Sequence, residues 1–281
     1  MERDLFLVID DVFRQAGIPA WGSARLDDCG PVLPCRGAGL LGAEHQSVLC
    51  CLFPYDIGEL PARNLSRYAC VPDYHRVAGG MLREAAQKLK EMLPDHDFLP
   101  FVDSSPVREV RAAALAGLGC VGKNGLLITP DYGSFVFLGE IVTDLPLGNA
   151  VAAPPACIGC NRCVRDCPTG AIREEGGLHK SRCLSEITQK RGELTPEEEA
   201  LIAASGILWG CDRCQEVCPM NKGRKLTPIV AFYKDIVTRI DASVTGSKIR
   251  GRAFGFRGVG VLKRNARILD GKKADTKVAE E

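Results

Sequence analysis

Eight of the 14 cysteines fall between Cys157 and Cys218, and their spacing limits what this part of the chain can fold into. The run Cys157-Ile-Gly-Cys160-Asn-Arg-Cys163-Val-Arg-Asp-Cys167-Pro168 has the form C-x2-C-x2-C-x3-C-P. Three closely spaced thiolates can converge on the corners of one iron–sulfur cubane, while the fourth cysteine and its proline turn away towards a second cluster. Four further thiolates are then needed. Cys211-Asp-Arg-Cys214-Gln-Glu-Val-Cys218-Pro219 repeats the last three positions of the motif without its first cysteine, and Cys183 is the obvious substitute. The crossed-ligand rule gives one cluster Cys157, Cys160, Cys163 and Cys218, and the other Cys167, Cys183, Cys211 and Cys214. Tetrahedral zinc is the competing use of paired C-x2-C sequences, but eight thiolates with two Cys-Pro endings favour two 4Fe-4S clusters.

The other six cysteines, Cys29, Cys35, Cys50, Cys51, Cys70 and Cys120, are scattered and read as small buried hydrophobes. A chain of 281 residues, 46% hydrophobic and 25% charged, supports a sizeable core without disulfide staples. Acids interrupt the apolar stretch near the start, so no secretory leader is expected, and no apolar run reaches the roughly 18 residues of a membrane span. The expected setting is cytoplasmic and reducing, where clustered cysteines bind metal or do redox chemistry rather than form bridges.

Three segments follow from these patterns. Residues 1–149 read as an α/β (α+β) domain. Leu5, Val8, Ile9, Val12, Phe13 and Ala16 recur at helical spacing before Gly17-Ile18-Pro19, and Val77, Met81, Ala85, Leu89 and Met92 mark a second helix closed by Pro94. Residues 47–53, 98–102 and 134–145 read as strands, the second delivering Asp103 at its end, and 107–116 as a helix. Alternation of this kind implies a sheet covered by helices. The linker 150–156, Ala-Val-Ala-Ala-Pro-Pro-Ala, opens a bacterial ferredoxin-like two-cluster module over 150–222. Residues 223–281 form a short helical basic tail. From Lys222 onward 15 basic residues face 6 acidic ones, against 21 and 29 before it, so a chain of net charge +1 hides a basic end suited to a polyanion.

Beyond the cysteines, the chain resembles the epoxyqueuosine reductase family, iron–sulfur and cobalamin enzymes of tRNA modification. The similar segments are Pro72-Asp-Tyr-His75, Phe101-Val-Asp103-Ser-Ser-Pro-Val107, Ala116-Gly-Leu-Gly-Cys-Val-Gly-Lys-Asn124 and Phe137-Leu-Gly-Glu-Ile-Val-Thr-Asp-Leu-Pro146, followed after the cysteines by Gly246-Ser-Lys-Ile-Arg-Gly-Arg252 and Lys263-Arg-Asn265. The resemblance implies reduction of the epoxide of epoxyqueuosine in tRNA to the alkene of queuosine, with electrons passing through the clusters to a base-off cobalamin. Asp103 matches the family's catalytic acid, a role that requires its pKa to be raised by burial or a nearby anion. The chain starts without the family's usual early segment and ends where the family often continues into a helical-repeat domain.

Tyr74 and His75 are candidate cofactor-pocket residues, His75 being a loop histidine and not an expected cobalt ligand. Gly119, Gly122 and Lys123 belong to a tight loop able to approach a flat cofactor; the loop follows a helix and so is no dinucleotide fingerprint. Lys248, Arg250, Arg252, Arg257, Lys263, Arg264 and Arg267 are candidate contacts to tRNA phosphates, with a solvated helix face as the bland alternative. An electron donor such as a flavodoxin or ferredoxin is implied. Two other functions fit the cysteines: a two-cluster electron carrier, which leaves Asp103 and the glycine loop without work, and a corrinoid reductase of another small substrate.

Overall fold

The computed structural model describes residues 2–149 and 156–278; most of the expected linker lies outside them. The amino-terminal part contains α1 (Glu2–Gln15), β1 (Ala20–Arg25), β2 (Ser47–Pro54), α2 (Arg67–Cys70), α3 (Tyr74–Met92), β3 (Phe98–Phe101), α4 (Glu109–Leu115), the short strands β4 (Cys120–Val121) and β5 (Leu127–Ile128), and β6 (Val136–Thr143). Four strands form an antiparallel sheet in the order β1-β2-β6-β3. β4 and β5 pair separately as a hairpin.

Every residue of β2 is buried. Side chains alternate across a strand, so a sheet covered on both faces buries both sets. Leu49, Cys51 and Phe53 pack with Ile9 and Phe13 of α1 and Leu82 and Leu89 of α3, whereas Val48, Cys50 and Leu52 pack with Ala112 and Ala113 of α4. Each such Leu or Phe stabilises the fold by roughly 1.5–3 kcal/mol of apolar burial. The expected helices and strands are present, with shifted ends. α3 begins at Tyr74 because the Asp73 side chain caps it, accepting the His75 amide at 3.0 Å. β1 has no counterpart in the sequence reading: Ala-Trp-Gly-Ser-Ala-Arg carries no sustained alternation. Gly22 sits in it because α4 ends close by, and a Cβ there would lie 2.2 Å from the Ala116 carbonyl oxygen.

The cysteine-rich part contributes α5 (Arg162–Arg165), α6 (Leu184–Gln189), α7 (Pro196–Ser205) and α8 (Arg213–Glu216). α5 and α8 lie against one another, each just inside one arm of the repeated motif. α7 opens with a capping box, in which the Thr195 side chain takes the Glu198 amide and the Glu198 side chain takes the Thr195 amide.

After the cysteines come α9 (Gly246–Ile249) and α10 (Val259–Val278), with no long helix before them. This segment is not an appendage. Ile229 and Phe232 enter the core beneath the sheet, and Val244, Phe254 and Leu262 join Leu65, Cys70 and Trp209 in another core. The expected division at 222/223 therefore cuts through shared cores, because the tail's apolar residues complete the other two segments. Among the described residues no helix is long and apolar enough to cross a membrane.

Candidate functional site

The fold gathers the eight motif cysteines into two quartets. Cys157, Cys160, Cys163 and Cys218 surround a small cavity of about 20 Å³, bordered also by Gly122, Asn124 and Met220. Cys167, Cys183, Cys211 and Cys214 all line a cavity of about 690 Å³. Their mutual charges follow the same division, since Cys163 feels Cys157, Cys218 and Cys160, while Cys211 feels Cys183 and Cys167. Cys214 feels Cys163 as well as its own quartet, so the two groups are neighbours.

Burial pushes the Cys211 thiol up to about 11 and the Cys214 thiol up to about 12. Cys167 departs from this trend. Against its burial, the Thr169 hydroxyl and the amides of Thr169, Ala171 and Ile172 hold it below the usual thiol range. Buried thiols of this kind become stable thiolates only opposite a cation. Among the described residues no three His, Cys, Asp or Glu side chains could hold a single metal ion, and a cubane spreads its ligands wider than one ion does.

The same large cavity is also lined by Tyr74, His75, Asp103 and Glu109, and by Val136, Phe137 and Leu138 of β6. Phe137 stacks on Tyr74 with ring centres 4.3 Å apart. His75 lies in the first turn of α3, not in a loop, between two carboxylates: Nδ1 is 2.7 Å from Asp73 Oδ1 and Nε2 is 3.3 Å from Asp103 Oδ2. Both ring nitrogens can serve carboxylates only as donors, which requires the imidazolium. Hydrogen bonds to Asp103 and then Asp73 accordingly raise His75 to about 9. The His75 hydrogen bond also holds Asp103 below the usual carboxylate range, with Tyr74 donating as well. The raised carboxyl that an acid role for Asp103 requires is therefore not what its surroundings favour: the pair favours the proton on His75. Asp103 itself has φ +63°, a strained backbone for a residue with a Cβ.

Comparison with known proteins bears on what this arrangement is. Residues 39–104 match the family described as "Epoxyqueuosine reductase QueG, DUF1730", and residues 156–221 match the "4Fe-4S double cluster binding domain". Curated epoxyqueuosine reductases are similar over part of its length. The Lactococcus garvieae protein is 42% identical over 160 residues, 57% of this chain and 45% of that protein. The Escherichia coli protein is 41% identical over 167 residues, 58% of this chain and 43% of that protein. The chain thus spans about half the length of the curated relatives it matches. In fold it is similar to the epoxyqueuosine reductase of Streptococcus thermophilus, with TM-score 0.80 and 24% identity over 99% of this chain and 85% of that one. An epoxyqueuosine reductase solved with an epoxyqueuosine-modified tRNA stem loop has TM-score 0.80 and 23% identity, covering 96% and 81% respectively.

Within this epoxyqueuosine reductase fold the remaining candidates divide. Tyr74, His75 and Asp103 line the large cavity, whereas Gly119, Gly122 and Lys123 do not. Gly119 is small because a Cβ would lie 2.4 Å from the Ile128 carbonyl oxygen of the β4–β5 hairpin, and Gly122 borders the first quartet. Lys123 ties the hairpin to the cysteine module, donating to Asn161 Oδ1 at 2.6 Å and the Glu174 carbonyl at 2.7 Å. The next residue, Asn124, was missed by the sequence reading; it borders both cavities and hydrogen-bonds Cys214.

The basic residues also separate. Lys248, Arg250 and Arg267 are exposed, while Arg252, Arg257, Lys263 and Arg264 are half-buried. Arg264 is structural, donating to the carbonyls of Lys190 and Gly192. Its fully buried neighbour Asn265 donates to the carbonyls of Thr188 and Leu208. The other six cysteines are buried, except half-buried Cys35.

Proposed function

We propose that the chain is an iron–sulfur and cobalamin-dependent reductase that converts the epoxide of epoxyqueuosine in tRNA to the alkene of queuosine. The observation that carries this reading is one cavity lined both by a cysteine quartet and by the His75–Asp103 pair. The curated relatives carrying this activity's name, and the relative solved with a modified stem loop, support it. An electron carrier alone would give a cavity of about 690 Å³ no work.

The residues present fit a corrinoid. Val136, Phe137 and Leu138 of β6 offer an apolar wall, and the Tyr55, Tyr68 and Tyr74 rings line the same space. Bound there, cobalamin would supply low-potential electrons to the epoxide carbon. Converting an epoxide to an alkene consumes two electrons and two protons and releases water. His75 holds one proton against Asp103, and Asp103 passes it to the departing oxygen as negative charge develops there. Tyr74 keeps the Asp103 carboxylate oriented.

Cys157, Cys160, Cys163 and Cys218 would hold one cluster and Cys167, Cys183, Cys211 and Cys214 the other, and the pair would supply electrons taken from a flavodoxin or ferredoxin to the cavity that the second quartet lines. Lys248, Arg250 and Arg267 contact tRNA phosphates, and the enzyme works in the cytoplasm, where its substrate is.

The test is anaerobic reconstitution with iron, sulfide and cobalamin, followed by addition of an epoxyqueuosine-containing stem loop and a reductant. Bound corrinoid in the absorption spectrum and loss of one oxygen atom from the RNA by mass spectrometry are expected. Protein that refuses cobalamin, or holds zinc in place of iron, defeats the reading.

A further inference from the structure

We propose that Phe256 is a stacking platform that holds an unpaired base of the RNA loop at the large cavity. The inference rests on the reading that RNA carries the substrate, and deepens it by naming a residue that grips the loop. Among the Tyr and Phe rings that line the cavity, Tyr55 is buried, Tyr68, Tyr74 and Phe137 are half-buried, and Phe256 is 59% exposed. A single exposed apolar side chain is ordinary by itself. Phe256 differs in how it is held and in what lies beside it.

Phe256 is the middle residue of a single 3-10 turn, Gly255–Arg257. The Trp209 ring meets it in a perpendicular contact, with ring centres 6.0 Å apart. Trp209 is itself fully buried and anchored, donating its indole N–H to the Tyr68 hydroxyl at 2.8 Å. The Arg257 guanidinium lies over the Phe256 ring, 4.7 Å from its centre, where the ring's electron-rich face attracts a cation. Two neighbours therefore hold the ring in place, and a ring ordered beforehand gives up little freedom when a base stacks on it.

The same turn sits beside exposed cations. A Cβ on Gly255 would lie 2.5 Å from the Ile249 carbonyl oxygen, so the turn rests directly on the end of α9, where exposed Lys248 and Arg250 flank Ile249. A duplex keeps its base faces stacked and hidden, whereas a loop offers unpaired bases to aromatic and guanidinium planes. A base stacked on Phe256, with nearby phosphates meeting Lys248 and Arg250, combines the two contacts by which single-stranded nucleic acid is held. The occupant this chemistry fits is a nucleobase of a single-stranded segment, not a base-paired stem.

Binding of an epoxyqueuosine-containing stem loop to the full chain with its clusters reconstituted, read by fluorescence anisotropy over a range of salt, tests this without reference to turnover. Phe256→Ala should raise Kd roughly tenfold at every salt concentration and leave the slope of log Kd against log salt unchanged, because stacking releases no counterions. Phe256→Leu keeps apolar packing on Trp209 but has no ring, and should bind as weakly as Phe256→Ala with iron content retained. Phe256→Tyr should stay within about twofold of wild type. Arg250→Ala should instead reduce the salt slope by about one. A fully paired duplex of the same length should bind wild type and the Phe256 variants alike. Wild-type affinity for the stem loop in Phe256→Leu, or an equal loss on the duplex, would overturn the inference. If binding behaves as stated while the wild-type chain reduces no epoxide, the platform stands and the proposed activity is what fails; if the chain reduces the epoxide and Phe256→Leu binds like wild type, the reverse holds.

Discussion

Replacing Asp103 with Asn keeps the shape of the side chain and removes the charge that faces His75 Nε2 at 3.3 Å. Asp103 is the largest of the influences that lift His75 from 6.5 to about 9, ahead of Asp73. In Asp103→Asn the larger share of that lift disappears and the Asp73 share stays, so the His75 midpoint should fall by about one unit or more without reaching 6.5. The proton donor is lost with it, and the rate of epoxide reduction should drop by about 10²–10⁴-fold.

The effect on stability is small and its sign is fixed. A folded-state pKa raised above the unfolded value contributes stability that is fully present below about 6.5 and vanishes as pH rises through about 9. The His75 and Asp103 side chains are 41% and 61% exposed, so solvent screening limits the pair to about 0–1 kcal/mol. Only four histidines occur in the chain, so imidazole resonances followed against pH can be assigned with a His75 variant. A wild-type His75 midpoint near 6.5, or a midpoint unmoved in Asp103→Asn, would refute the reasoning from the ion pair to the proton's location.

Cys218→Ala and Cys183→Ala should each reduce bound iron from about eight to about four atoms per chain, the first emptying the small site and the second the cavity-side site; distinct residual electron paramagnetic resonance signals would distinguish them. If both variants leave the same signal, the crossed assignment is wrong. Asn265→Ala strands the buried Thr188 and Leu208 carbonyls and should lower unfolding free energy by about 2–4 kcal/mol in a denaturant titration. Gly22→Ala drives a Cβ to within 2.2 Å of main-chain oxygen at Ala116 and should destabilise by about 1–3 kcal/mol or more, read as a lowered Tm.

Much of the site was legible before any coordinates. Cysteine spacing alone divides eight thiolates into the quartets that the fold brings together, because the motif's short x2 steps keep three sulfurs on one turn and its Cys-Pro ending turns the fourth away. Apolar periodicity located α1, α3, β2 and β6 for the same reason: their faces must repeat at the period of the element to reach a core. The resemblance singled out Asp103, Tyr74 and His75, which the fold gathers on one cavity.

Other features depend on neighbours distant in sequence, and local pattern carries no trace of them. The glycine loop follows α4 and reads as a cofactor cradle, yet its space is taken by Ile128 and by the first quartet. Four of the seven candidate phosphate contacts are half-buried, and one of them, Arg264, is committed to the carbonyls of Lys190 and Gly192. The protonation of the site is also tertiary. Asp103 and His75 stand 28 positions apart, so only the fold could bring the carboxylate to the imidazole. Sequence determined the ligand chemistry and the secondary elements, because both are written in short-range spacing. Folding alone decided where the protons sit, because a pKa answers to charges and burial that arrive from elsewhere in the chain.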